Sequence, residues 1–216
     1  MENDVKEFLS ELLKQLKSID YIKPEDIPNI DLYMDQVTTF MDEQLAASKR
    51  YESDKILTKT MINNYAKNNL LPSPDKKKYS KEHVLTLLFI YYFKNILSIN
   101  DIRSILNPLT EKYFGNDDGF TMQDVYTEVF SLEAEESKKL LKDLGKKYKI
   151  AGETFEDFPD EDQKFLHTFS FICMLSFDVY IKKMLIERMI DNLNEEEASS
   201  HENTHSGKES KKTGSK

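Results

Sequence analysis

Apolar residues recur at steps of three and four along most of the chain, and this helical period predicts a mainly α protein. In the first segment, for example, the apolar residues between Val5 and Ile19 fall on one helix face. The pattern indicates no strand apart from a short extended segment near 72–79. The predicted helices cover about 4–19, 31–47, 58–67, 81–97, 99–106, 121–147 and 160–193.

Short polar motifs mark the ends of these helices. Thr58 precedes the third helix, and its hydroxyl is expected to cap the first turn by accepting a backbone N–H. Asn68 and Asn69 supply the stop, because asparagine tolerates the left-handed backbone conformation. Ser80 is the expected cap of the next helix. Pro108 is expected to end the fifth helix, because proline interrupts the helical hydrogen-bond ladder.

The helices group into four predicted regions. An N-terminal helix and its proline-containing linker precede a helix-turn-helix region, and longer helices follow. The helix at 160–193 carries apolar residues near a 3.5-residue repeat, which is typical of a coiled-coil or bundle seam. The tail lacks apolar periodicity and is predicted to be disordered. The four regions are 1–29, 30–107, 108–193 and 194–216.

Composition indicates a folded cytoplasmic protein. Hydrophobic residues make up 39% and charged residues 32% of the 216 residues, which is a soluble globular balance. Cys173 is the single cysteine, so it fits a reducing compartment, and we expect it to be buried. The acidic start does not resemble a signal peptide. The most apolar segment, 169–181, is too short to span a membrane, so no membrane contact is expected.

The distribution of charge changes this picture more than its sum. The net charge is -9, whereas nucleic-acid-binding proteins are usually basic. Between residues 58 and 83, however, six lysines face two acids, a local charge of +4. A basic patch on an acidic body is compatible with DNA binding, and equally with an ordinary solvated surface.

Three segments in a fixed order carry a family resemblance. Thr58–Pro72 ends in Leu-Leu-Pro, Lys76–Ser80 is basic and ends in Tyr-Ser, and Leu97–Leu106 is a short hydrophobic helix. This order resembles the DNA-binding half of MerR-family regulators. The segment from Asp31–Val37 onward is similar to a bacterial family of unknown function that is described as MerR-like. The resemblance covers about 30–107.

The resemblance implies a winged helix-turn-helix domain in a bacterial transcriptional regulator that binds double-stranded DNA. The recognition helix at about 58–67 would enter the major groove, and the basic wing at 76–79 would contact phosphates. Asparagine pairs with adenine, and lysine reaches guanine or phosphate. The expected DNA-binding residues are Thr58, Lys59, Thr60, Asn63, Asn64, Lys67, Lys76, Lys77, Lys78 and Tyr79. Tyr79 has the alternative of packing beneath the wing.

The resemblance also implies a dimer with a sensing half. The helix at 160–193 is the expected homodimer seam, because its repeat lets two copies bury an apolar stripe. The region 121–193 would then sense a small-molecule effector whose identity is open. Four phenylalanines either line an apolar pocket for it or fill a core. They are Phe165, Phe169, Phe171 and Phe177.

The main alternative is a helical adaptor that uses the winged-helix scaffold for protein contacts without DNA binding. The net charge favours it, as does Asn63-Asn64-Tyr65 where the MerR family has Arg-Tyr-Tyr. Glycine-rich phosphate loops, nucleophile elbows, HExxH and paired cysteines are all absent, so we expect no enzyme, cofactor or metal. His83 is expected at a capped helix start, and the lysine run 76–78 has the alternative of a solvated turn.

Overall fold

The computed structural model describes residues 21–116 and 119–209. It also describes four residues near the N-terminus, namely Glu7, Ser10, Glu11 and Lys14. These four are helical and exposed, and the remainder of the helix predicted at 4–19 lies outside the described residues.

The described chain is mainly helical, as the apolar period predicts. The helices are α1 (Met34–Gln44), α2 (Lys59–Lys67), α3 (Lys81–Phe93), α4 (Ile99–Tyr113), α5 (Met122–Ser131), α6 (Glu133–Ala151) and α7 (Asp160–Glu209). Short 3-10 turns lie at Pro24–Asp26 and Ala46–Ser48. Two-residue strands β1 (Leu32–Tyr33) and β2 (Lys78–Tyr79) pair antiparallel. The extended segment predicted at 72–79 therefore finds its partner immediately before α1.

The core forms around α3, which is buried on all sides. Nine consecutive residues, from His83 to Tyr91, are buried, and such a helix must be covered by its neighbours. The buried residues around it form a single hydrophobic cluster, with members from Ile22 to Tyr126 along the chain and Ile190 from α7. Tyr126 fixes the N-terminal side of this core by donating its hydroxyl to the Ile22 carbonyl at 2.8 Å. The core thus crosses the positions near 29 and 107 where the sequence pattern changes.

Side-chain hydrogen bonds hold the connection between α1 and α2. The hydroxyls of Ser48 and Tyr91 share a short hydrogen bond. Lys94 donates from Nζ to the Ile56 carbonyl at 2.8 Å, and burial lowers the pKa of this lysine. These contacts anchor the connection to α3 and its C-terminal end, and so fix where α2 begins.

The fifth and sixth predicted helices differ from the structure in their extent. Helix α4 continues through Pro108 to Tyr113, because Leu109 and Tyr113 pack against the core on the far side of the proline. This packing offsets the one hydrogen bond that a proline removes from a helix. The helix predicted at 121–147 is interrupted at Leu132, where α5, which packs on α3, gives way to α6, which packs on α7.

The last helix differs from its prediction at its end and on its surface. Helix α7 begins at Asp160, as predicted, but continues to Glu209, well past residue 193. The tail was expected to be disordered because it lacks an apolar period, yet a glutamate-rich run needs no apolar face to favour a helix. Cys173, which was expected to be buried, is exposed, because α6 and α4 leave that side of α7 uncovered.

Helices α6 and α7 form an antiparallel pair that polar contacts hold. Lys147 on α6 lies between two carboxylates, Asp143 on the same helix and Asp178 on α7. At the turn, His167 Nε2 lies 2.8 Å from the Thr154 carbonyl oxygen. Phe155 in the turn has φ of +58°, a conformation that costs a bulky residue about 1–3 kcal/mol.

Candidate nucleic-acid interface

Helix α2 presents one exposed polar face. Ile62 and Tyr65 are buried and hold the helix against the core, so the opposite side faces solvent. The exposed side chains on this face are Lys59, Thr60, Asn63, Asn64 and Lys67. We call this set the α2 polar face. The structure thus leaves five of the predicted DNA-binding residues open to a ligand.

Thr58 begins the helix and serves as its cap. Its Oγ1 accepts a hydrogen bond from the Met61 N–H at 3.2 Å, as predicted for an N-cap threonine. The side chain is half-buried, so its first role is structural. Its hydroxyl proton is still available to an acceptor beside the helix start.

The opposite end of α2 is closed by the backbone conformation of Asn69 and by one side chain from α4. Asn69 adopts φ of +56°, which confirms the predicted left-handed stop. Arg103 on α4 donates from Nε to the Asn68 carbonyl at 2.9 Å and so caps the end of the helix from outside. Arg103 also adds a positive charge at this end of α2. Sequence reasoning missed this residue, because no local pattern indicates a contact between positions so far apart in the chain.

The predicted wing is a two-residue hairpin turn, which we call the lysine turn (Asp75–Lys78). The Lys78 N–H donates to the Asp75 carbonyl at 2.8 Å. Lys76 and Lys77 have φ of +46° and +66°, and positive φ at both central residues is the signature of a type I′ turn. Asparagine and glycine favour this turn, whereas lysine is strained in it. Both lysines are exposed, so the strained turn holds two cations out into solvent.

Tyr79 does not belong to the exposed surface. Its side chain is only 3% exposed, and burial raises the pKa of its hydroxyl. Its ring lies edge-on to His83, with 5.5 Å between ring centroids. This burial shows that Tyr79 packs beneath the turn, the alternative to the expectation that it contacts DNA.

His83 secures the start of α3 below the turn. Its Nδ1 accepts the Ser80 N–H at 3.0 Å in a capping box, which confirms both the predicted cap and the expected place of this histidine. Phe114 packs edge-on against the ring, with 4.7 Å between centroids. Burial lowers the pKa of His83. The neutral imidazole is therefore the form that fits this site.

The junction between β1 and α1 touches both the α2 polar face and the lysine turn. Asp35, in the first turn of α1, forms an ion pair with Lys59. Two residues earlier, the Tyr33 ring lies under Lys78, with 5.6 Å from Nζ to the ring centroid. Because these contacts start from neighbouring residues, they bring Lys59 and Lys78 to one edge of the molecule. Sequence reasoning missed Tyr33 and Asp35, since neither carries a recognisable motif.

Comparison with known protein families identifies this region. The model of a domain of unknown function, DUF1836, matches residues 22–129. The chain belongs to this family. The DUF1836 segment contains β1 through most of α5, so the α2 polar face and the lysine turn both lie inside it. No match was found among curated proteins or among solved structures.

The described residues also limit other kinds of site. None of the helices in this part of the chain combines the length and the apolar content that crossing a bilayer requires. Among the same residues, no group of three His, Cys, Asp or Glu side chains is arranged to hold a metal ion.

Proposed function

We propose that this DUF1836 protein is a sequence-specific regulator that binds double-stranded DNA through a winged helix-turn-helix. The observation that supports it most is the shared edge of the α2 polar face and the lysine turn. One buried helix face and one strand pair hold two separate cationic elements on the same side of a compact core. An ordinary solvated surface would not need a strained turn to project Lys76 and Lys77.

The chemistry of the side chains suggests that α2 reads bases and that the lysine turn binds phosphates. Helix α2 enters the major groove, where Asn63 and Asn64 read adenine and Lys59 reaches guanine or a phosphate. Lys76 and Lys77 bind phosphates, which fixes the register of the protein on the duplex without reading bases. Arg103, at the C-terminal end of α2, adds a further contact to the phosphate backbone of the DNA.

The α7 surface supports a homodimer as the form that binds DNA. Positions at alternating steps of four and three form one stripe, and an apolar stripe of this period is a coiled-coil seam. Phe165 is 71% exposed and Val179 is 63% exposed, whereas Ile190 is buried in the core. The stripe consists of seven apolar residues, interrupted by Ser176 and Lys183; they are Phe165, Phe169, Ile172, Val179, Ile186, Ile190 and Leu193. A second copy would cover the side chains that one copy leaves in water.

A small-molecule effector would depend on this dimer. Phe165, Phe169 and Phe177 are exposed, so they enclose no cavity within one chain. Phe171 instead packs edge-on against Tyr148, with 5.4 Å between ring centroids. An apolar pocket lined by Phe165 and Phe169, which lie on the stripe, would form only between two copies, whereas Phe177 lies off the stripe.

Salt-dependent binding tests the proposal. We expect the protein to bind a fluorescent random duplex and its own upstream region, with affinity falling about a thousandfold between about 50 and 200 mM salt for six phosphate contacts. Charge reversal of Lys76, Lys77 and Lys78 to Glu should abolish binding. The matched control reverses three exposed lysines of α6, namely Lys138, Lys142 and Lys146. The control should bind nearly as wild type does.

A protein adaptor is the second candidate, and the same exposed stripe on α7 favours it. Folded protein that binds neither duplex at about 50 mM salt would favour the adaptor over the regulator. The oligomeric state is tested separately by sedimentation. We expect a wild-type dimer, and a monomer when Phe169 and Val179 are both changed to Glu. A monomeric wild type would contradict the seam.

A further inference from the structure

The ion pair between Lys59 and Asp35 places an acid inside the cationic surface. Lys59 is 60% exposed and Asp35 is 73% exposed at their side chains. A pair this open to water adds little to folding stability. Folding stability therefore does little to explain why the first residue of α2 is paired with an acid.

The pair has a larger consequence for a polyanionic ligand. Phosphates attract any free lysine regardless of sequence, and this attraction accounts for most non-specific binding. A carboxylate paired with Lys59 competes with the phosphate and also repels it. When the bases match, their hydrogen bonds to α2 offset the affinity that is lost at Lys59, whereas DNA of arbitrary sequence forms no such hydrogen bonds.

We infer that Asp35 is a specificity-determining residue, which holds Lys59 away from phosphates and so suppresses binding to DNA of arbitrary sequence. The inference rests on the proposed DNA-binding function. In this inference, Asp35 lowers the affinity for DNA of arbitrary sequence, while the lysine turn binds the phosphates. No described contact joins the Asp35 carboxylate to the lysine turn.

Counterion release sets the expected size of the effect. One additional phosphate contact steepens the salt dependence by about 0.9 in log–log slope. Extrapolated from a 1 M reference, one contact is worth about fifteenfold in affinity at about 50 mM salt and about fourfold at about 200 mM. Freeing Lys59 should produce a change of this size on a duplex of random sequence.

The test compares two substitutions that change the net charge equally. Asp35→Asn removes the partner of Lys59. Glu43→Gln removes an exposed acid at the other end of α1, on the groove that Lys59 also lines. Affinity for a fluorescent random duplex is measured from about 50 to 200 mM salt for wild type and both variants. A third variant, Lys59→Ala, is combined with Asp35→Asn to complete a double-mutant cycle.

The inference predicts that Asp35→Asn binds the random duplex more tightly than wild type, by up to about fifteenfold at about 50 mM salt, with a steeper slope. Glu43→Gln should give a clearly smaller gain, and the gain from Asp35→Asn should vanish when Lys59 is alanine. Equal effects of the two acids, or a gain that survives without Lys59, would overturn the inference while leaving the proposed function intact. Failure of every variant to bind would instead remove the proposed function and the inference together.

Discussion

The strained lysine turn permits a test in which stability and binding change in opposite directions. We consider the double substitution Lys76→Asn and Lys77→Gly, which installs the residues that a type I′ turn favours. A left-handed conformation costs an ordinary residue about 1–2 kcal/mol. Glycine removes this steric cost, but it loses about 0.5–1 kcal/mol more in backbone entropy when the chain folds. With both positions at positive φ, we expect the variant to be more stable by about 1–2 kcal/mol.

The same substitution removes two cations from the proposed phosphate contacts. Two contacts are worth about two hundredfold in affinity at about 50 mM salt, and their loss should reduce the log–log salt slope by about 1.8. A turn that served only the fold would show the gain in stability without the loss in binding. The opposite signs therefore separate a structural from a functional role of the lysines.

Urea unfolding followed by circular dichroism measures the first quantity, and fluorescence anisotropy with a labelled duplex measures the second. The melting temperature should rise by about 2–4 °C for each kcal/mol. The control replaces Lys138 and Lys142, exposed on α6, with Gln and should change binding little. A variant that is less stable than wild type, or that binds DNA as well as this control does, would refute the reasoning.

Two further predictions concern residues that support this surface. Thr58→Ala should lower the free energy of unfolding by about 1 kcal/mol in urea, because the Met61 N–H loses its acceptor; an unchanged value would contradict the cap. Because burial lowers the pKa of His83 below its ordinary 6.5, its contribution to stability is complete above that value and is lost as the pH falls through the folded-state pKa. Unfolding at about pH 7.5 and about pH 5 should therefore show a larger loss for wild type than for His83→Gln, and equal losses would contradict it.

Local chemistry in the sequence predicted the elements that depend on few residues. The caps at Thr58 and Ser80 and the left-handed stop at Asn69 all follow from the local preferences of single residues. The exposed α2 polar face also follows from helical periodicity, once Ile62 and Tyr65 are assigned to the core.

Features that depend on distant parts of the chain were beyond prediction. The two residues of β1 are too few for a strand pattern, and their pairing with β2 is what places Tyr33 beneath Lys78. Helix α4 passes Pro108 because packing beyond it outweighs a lost hydrogen bond. The sequence left Tyr79 between contact with DNA and packing beneath the wing, and its burial beside His83 favours packing.

We propose that α2 and the lysine turn meet DNA on one surface. Hydrogen–deuterium exchange with and without a saturating duplex at low salt tests it residue by residue. We expect the duplex to slow exchange in 58–67 and 75–79, with little change in the exposed N-terminal half of α7. Unchanged exchange in both segments, or protection confined to α6 and α7, would contradict the account.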